Sequence, residues 1–145
     1  MSLNIIIPCY NESMRLPVNK YLDFLKLNKK VKIIFVDDGS TDNTKNLLRK
    51  LSRKLPQQIK ILAYEKNKGK GNAVRDGFLY AVNQNMTGNL AYLDADLSTS
   101  LEECKLLSKK INEKIKFVFG SRIPKSGNVI KRKFHRFIIG RCIAT

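Results

Sequence analysis

Val31-Lys32-Ile33-Ile34-Phe35-Val36-Asp37-Asp38-Gly39-Ser40-Thr41-Asp42 joins an apolar run of strand length to a turn built from helix-capping residue types. A run this continuous in valine, isoleucine and phenylalanine describes a strand buried on both faces. Gly39 permits a tight turn, and Ser40, Thr41 or Asp42 can cap the helix that follows. Leu47, Leu48, Leu51 and Leu55 then recur at helical spacing, so a helix is predicted over Thr41 to Leu55.

The same rhythm extends in both directions. Leu3 to Pro8, Ile59 to Glu65, Asn89 to Asp94 and Lys116 to Ser121 read as further strands, and Leu16 to Leu27, Gly71 to Gln84 and Ser100 to Asn112 as helices. Strands that alternate with helices predict an α/β fold, a mainly parallel sheet with helices on both faces. There is no internal repeat and no low-complexity tract.

At 145 residues and 43% hydrophobic content, the chain can bury a core without covalent staples. Cys9, Cys104 and Cys142 form no CxxC pair and leave one thiol over in any disulfide scheme, which fits a reducing compartment. A single histidine, His135, disfavours zinc and reads as a solvated or interfacial side chain. Met1 leads straight into a strand-like run, and no apolar stretch approaches the roughly 18 residues of a membrane span. The expectation is a soluble or peripheral protein.

The formal charge is +16, from 28 basic and 12 acidic residues. Much of the excess lies from Lys105 onward, where Glu113 is the only acid. Such a balance points to a phosphate-rich partner: nucleic acid, an anionic membrane surface or a phosphorylated small molecule. Nucleic acid is disfavoured, because no DNA- or RNA-reading motif is present and the aromatics are placed mostly as core residues.

In open sheets of this kind, ligands bind beyond the carboxyl ends of the strands. The chemistry-bearing residues fall there. Asp94-Ala95-Asp96 closes a strand run with two hard oxygen donors at i and i+2, a pattern suited to Mg²⁺ or Mn²⁺ or, alternatively, to a solvated turn before a helix capped by Ser98, Thr99 or Ser100. Asp37 can accept hydrogen bonds from a base or ribose, while Asp38 can do the same or brace its loop. Lys66-Asn67-Lys68-Gly69-Lys70-Gly71 precedes a helix and suits a diphosphate through glycines, free N–H groups and positive charge, though a solvated basic turn looks the same. It lacks the spacing of a Walker loop. Arg75, one turn on, points back to the same mouth or out to solvent. Val129 to Ile143 has the composition of a basic amphipathic helix, which suits a membrane surface or packing against another part of the protein. Cys9 and Cys104 read as buried small apolar residues.

Taken in order, Ile5-Ile6-Ile7-Pro8-Cys9-Tyr10-Asn11-Glu12, Val36 to Thr44, Asn67 to Gly77, Asp94-Ala95-Asp96-Leu97-Ser98-Thr99 and Gly120-Ser121-Arg122 resemble family 2 glycosyltransferases of the GT-A fold. Within them the chain is most similar to the dolichyl-phosphate or polyprenyl-phosphate sugar synthases, particularly the glucosyl branch. The resemblance implies an inverting glycosyltransferase with a UDP- or GDP-sugar donor and a polyprenyl-phosphate acceptor. It implies that Pro8, Tyr10, Asn11 and Glu12 line the nucleotide, that Asp37 reads the base with Asp38 beside it, and that Gly69, Lys70, Gly71 and Arg75 lie near the nucleotide-sugar. Asp94 and Asp96 would bind Mg²⁺ or Mn²⁺ and are the expected catalytic pair. Mannosyl relatives carry glutamine where this chain has Ser98, which favours a glucosyl-like or other sugar.

Residues 1–122 are thus expected to form the donor-binding region. Residues 123–145 would begin an acceptor or membrane-interface region, with Arg122, Lys131, Arg132, Lys133 and Arg136 toward an acceptor phosphate or an anionic membrane surface. The expected location is peripheral, on the cytoplasmic face of a membrane. The resemblance covers only the donor half of the family's domain, so the chain reads as C-terminally incomplete. The alternative reading is a donor-binding fragment or partner subunit that transfers nothing.

Overall fold

The computed structural model describes residues 2–120. Among these residues, four strands alternate with four helices: β1 (Leu3–Cys9), α1 (Val18–Leu27), β2 (Val31–Asp37), α2 (Thr44–Lys54), β3 (Ile59–Ala63), α3 (Lys70–Asn83), β4 (Asn89–Tyr92) and α4 (Leu101–Ser108). All strand pairs are parallel, in the order β3-β2-β1-β4. Every residue of β1 is buried, as its unbroken apolar run demands for a strand flanked on both edges and covered on both faces.

Alternation along the strands divides the core. Ile5, Ile7, Ile33 and Phe35 face one side with Tyr21 and Leu25 of α1, Leu48 and Leu51 of α2, and Leu101 and Cys104 of α4. Ile6, Ile34 and Val36 face the other side, against Ala73 and Ala81 of α3. Helices therefore cover both faces, the doubly wound α/β arrangement expected of a GT-A fold. At the amino ends of the strands, the buried Gln58 amide donates to the carbonyls of Leu25, Asn28 and Val31, tying the end of α1 to the start of β2.

Several boundaries differ from the sequence expectation. α2 starts at Thr44 rather than Thr41, because Asn11 holds the preceding turn: its side-chain oxygen accepts from the Thr41 and Asp42 N–H groups, and its own N–H donates to the Ser40 hydroxyl. Asp42 then receives the Thr44 N–H at 2.9 Å. α4 starts where capping predicts, with a reciprocal Ser100–Glu103 capping box, but stops at Ser108 rather than Asn112. β4 ends at Tyr92, short of Asp94.

The expected strand over Lys116 to Ser121 does not form within the described residues. Residues 116–120 pair with no strand, and Phe117 and Phe119 stand 78% and 72% exposed. β propensity alone yields no ladder without a partner edge. The expected helix at 129–143 lies outside the described residues.

The strand order fixes where a ligand fits. The chain steps outward from β1 through β2 to β3, then crosses back to place β4 on the other side of β1. Loops after β1 and β4 consequently part in opposite directions, and the crevice of a doubly wound sheet opens between them.

Candidate donor site

A cavity of about 680 Å³ occupies that crevice. Pro8, Cys9, Tyr10 and Glu12 line it from the loop after β1, Asp38 from the end of β2, Asn67, Gly69 and Lys70 from the entry to α3, and Asp94, Ala95, Asp96, Ser98 and Thr99 from the loop after β4. Gly120 completes the rim. Four segments distant in sequence thus meet at one mouth, as the motif map predicts.

Asp38 is buried and acts as a brace. One carboxylate oxygen accepts the Lys68 N–H at 2.7 Å and the other the Gly69 N–H at 3.0 Å, so the glycine-lysine loop hangs from β2. Asp37 lies outside the cavity lining. One of its oxygens accepts the Ser40 N–H at 3.1 Å, and the other is buried without a hydrogen-bond partner. Asn11, in a left-handed conformation (φ 53°), ties the first two loops and also lies outside the lining, as do Gly71 and Arg75. Arg75 is 71% exposed beside Asp76. Arg122, Lys131, Arg132, Lys133 and Arg136 fall outside the described residues.

Glu12 enters the cavity with one oxygen paired to Arg15 at 2.9 Å and the other buried and unpaired. Burial pushes its carboxyl above the usual range against the pull of Arg15, and the Asp96 carboxylate adds to the rise. Burial, reinforced by Glu12 and Asp37, raises the Cys9 thiol far above its ordinary value, so this cysteine stays protonated and is no nucleophile.

The acidic loop after β4 is held from beneath. Ser98 N–H donates to Asp96 at 2.9 Å, Leu97 N–H donates to the Asp94 carbonyl at 3.1 Å, and Leu97 takes a positive φ of 53° that a leucine rarely adopts. Between the two aspartates, Ala95 is buried, and its carbonyl accepts the hydroxyl of the fully buried Tyr21 at 2.9 Å. Tyr21→Phe is expected to cost about 1 kcal/mol of stability, the net value of one buried hydrogen bond. Thermal denaturation of the variant checks this.

On the cavity side, Lys70 Nζ and the Tyr92 hydroxyl both reach one oxygen of Asp94, each at 2.6 Å. The bond to Asp94, with Tyr92 adding, holds Lys70 above the usual lysine range. Tyr92 had no place in the sequence reading, although the strand expected over Asn89 to Asp94 would have put both side chains on one face, two residues apart. Tyr21 had no separable signal, since its hydroxyl partner lies 74 residues away.

Among the described residues, no cluster of three or more His, Cys, Asp or Glu side chains gathers for an all-protein metal site. Asp94 and Asp96 nevertheless suit a hard divalent cation of the kind that takes one or two carboxylates and fills its remaining positions with water and substrate phosphate. Asp94 is 43% exposed and Asp96 is exposed, so the donors are open to such ligands.

The family model for glycosyl transferase family 2 matches residues 4–143. The chain belongs to that family. Among its relatives, human dolichyl-phosphate beta-glucosyltransferase is 31% identical over 120 residues, covering 77% of this chain and 36% of the relative. The Dictyostelium discoideum dolichyl-phosphate beta-glucosyltransferase is 34% identical over 152 residues, covering 94% and 45%. The chain thus spans less than half the length of these curated relatives. Residues 1–349 of S. aureus TarS, crystallised with UDP, superpose with a TM-score of 0.52 and 26% identity over 66% of this chain and 28% of that one. This family 2 member shares a sheet framework with a structure that holds a nucleoside diphosphate. No helix among its described residues is long and apolar enough to cross a membrane.

Proposed function

We propose that this chain binds a nucleoside diphosphate sugar and serves the transfer of its sugar, with inversion, to a polyprenyl (dolichyl-type) phosphate. The observation that carries the reading is the convergence of the β1, β2 and β4 ends and the α3 entry on one polar cavity. The names of the relatives supply the glucosyl donor and the lipid acceptor as the classes to test.

Each part of the cavity has a task in this reading. The half-exposed Tyr10 ring and the Pro8 and Glu12 side chains lie where a nucleoside would sit. The loop braced by Asp38 offers the diphosphate the Lys70 ammonium at the start of α3. Asp94 and Asp96 are the residues that would hold Mg²⁺ or Mn²⁺. Such an ion supplies charge neutralisation on the departing nucleoside diphosphate. An acceptor phosphate oxygen attacks the anomeric carbon as the bond to the diphosphate oxygen breaks, inverting the carbon. That phosphate is already anionic, so no protein base is needed. Residues 1–122 form the donor region in this reading, and the basic residues of 123–145 face the acceptor at the cytoplasmic surface of an anionic membrane.

Titration of UDP and UDP-glucose into the protein tests the donor site. UDP is expected to bind roughly a hundredfold more tightly with Mn²⁺ than in EDTA, given the charge a metal neutralises. Equal affinity in the two conditions overturns the metal-assisted reading, and transfer of labelled glucose to polyprenyl phosphate tests the reaction itself.

A further inference from the structure

Lys70 stands at a fork. It is the first residue of α3, beside the glycine loop offered to the diphosphate, yet its ammonium lies 2.6 Å from an oxygen of Asp94, a residue assigned to the metal. The Tyr92 hydroxyl converges on the same oxygen, and Lys70 stands over the Tyr92 ring at 5.5 Å. The pair is open to water, with Lys70 59% and Asp94 43% exposed. One cation therefore faces two competing anions, a carboxylate already present and a diphosphate yet to arrive.

We propose that Lys70 is a built-in counter-cation that holds Asp94 against a divalent metal until a nucleoside diphosphate draws it away. The inference rests on the donor-site reading and adds an order to it: metal binds weakly alone, nucleotide gives Lys70 a second partner, and Asp94 is released to the metal. Lys70 is then a positioning residue that couples two ligands. Coupling of this kind is reciprocal, so metal tightens nucleotide by the same factor that nucleotide tightens metal. A solvent-open ion pair has modest strength, which bounds the part of the coupling carried by Lys70 at roughly three- to fivefold.

The test measures Mn²⁺ binding by the loss of the free-ion paramagnetic signal, with and without saturating UDP, in the 145-residue chain. Lys70→Met is expected to bind Mn²⁺ alone roughly three- to fivefold more tightly than the parent, and its UDP–Mn²⁺ coupling factor is expected to shrink correspondingly. Lys70→Arg keeps the charge and should retain the parent's weak binding of metal alone. Lys68→Met controls for general charge: Lys68 contributes the same charge to the loop, but its ammonium sits over the Tyr64 ring, 4.3 Å from the centroid. This variant should leave Mn²⁺ affinity within about twofold. Coupled binding in the parent with no tightening in Lys70→Met overturns the counter-cation role and leaves the donor site standing. Equal tightening in Lys68→Met overturns it in favour of plain repulsion. A parent that binds no Mn²⁺ even with UDP overturns both readings together.

Discussion

Asp96→Asn is expected to reduce the affinity for UDP in Mn²⁺ to the level seen in EDTA, a loss of roughly a hundredfold if the metal contributes about 3 kcal/mol to the bound diphosphate. Asparagine has nearly the shape of aspartate, and its amide oxygen can still accept the Ser98 N–H that turns the loop. The substitution removes the anionic charge a divalent ion requires and leaves the local fold in place. Calorimetric titration of UDP in both buffers, alongside a melting curve, checks it. The expected signature is an unchanged melting temperature with the metal-dependent heat gone. Retention of full metal dependence would move the ion to other ligands.

Gly39→Ala is expected to damage both the fold and the site. Gly39 has a φ of 71°, and a methyl group there would stand 2.5 Å from the Lys66 carbonyl carbon and 2.6 Å from the Asn67 nitrogen. Both obstacles are backbone, so no rotamer change relieves them. Left-handed strain and overpacking each cost about 1–3 kcal/mol, and together they imply a loss of about 3–5 kcal/mol. At roughly 3 °C per kcal/mol for a chain of this size, the melting temperature should fall by about 10–15 °C. The same displacement pushes the Lys66–Asn67 backbone from β2 and strains the bonds from Asp38 to Lys68 and Gly69. UDP affinity should therefore fall even below the melting transition, and parallel measurements of melting and binding check both effects.

The framework was legible because buried parallel strands write themselves as continuous apolar runs, and Val31–Asp37 does so without ambiguity. The gathering of Glu12, Asp38, Lys70, Asp94 and Asp96 at one edge followed from their places at strand ends and at the entry to α3. What stayed illegible was phase and partnership. Asp37 and Asp38 are adjacent acids, and nothing in their order says that Asp38 lines the cavity while Asp37 turns to Ser40. The run beginning at Lys116 has strand composition, but a strand exists only where another edge accepts its hydrogen bonds. Lys70 was placed for a diphosphate, whereas its contact with Asp94 joins residues 24 positions apart and depends on how α3 docks beside β4.

Asn11 carries a consequence for how such a site can diversify. Its backbone and side chain join the loop after β1 to the loop after β2, through Ser40, Thr41 and Asp42. A substitution at this position changes two walls at once, while changes at Tyr10 or Asn67 alter one surface each. The corner tied by Asn11 is therefore costly to explore one mutation at a time.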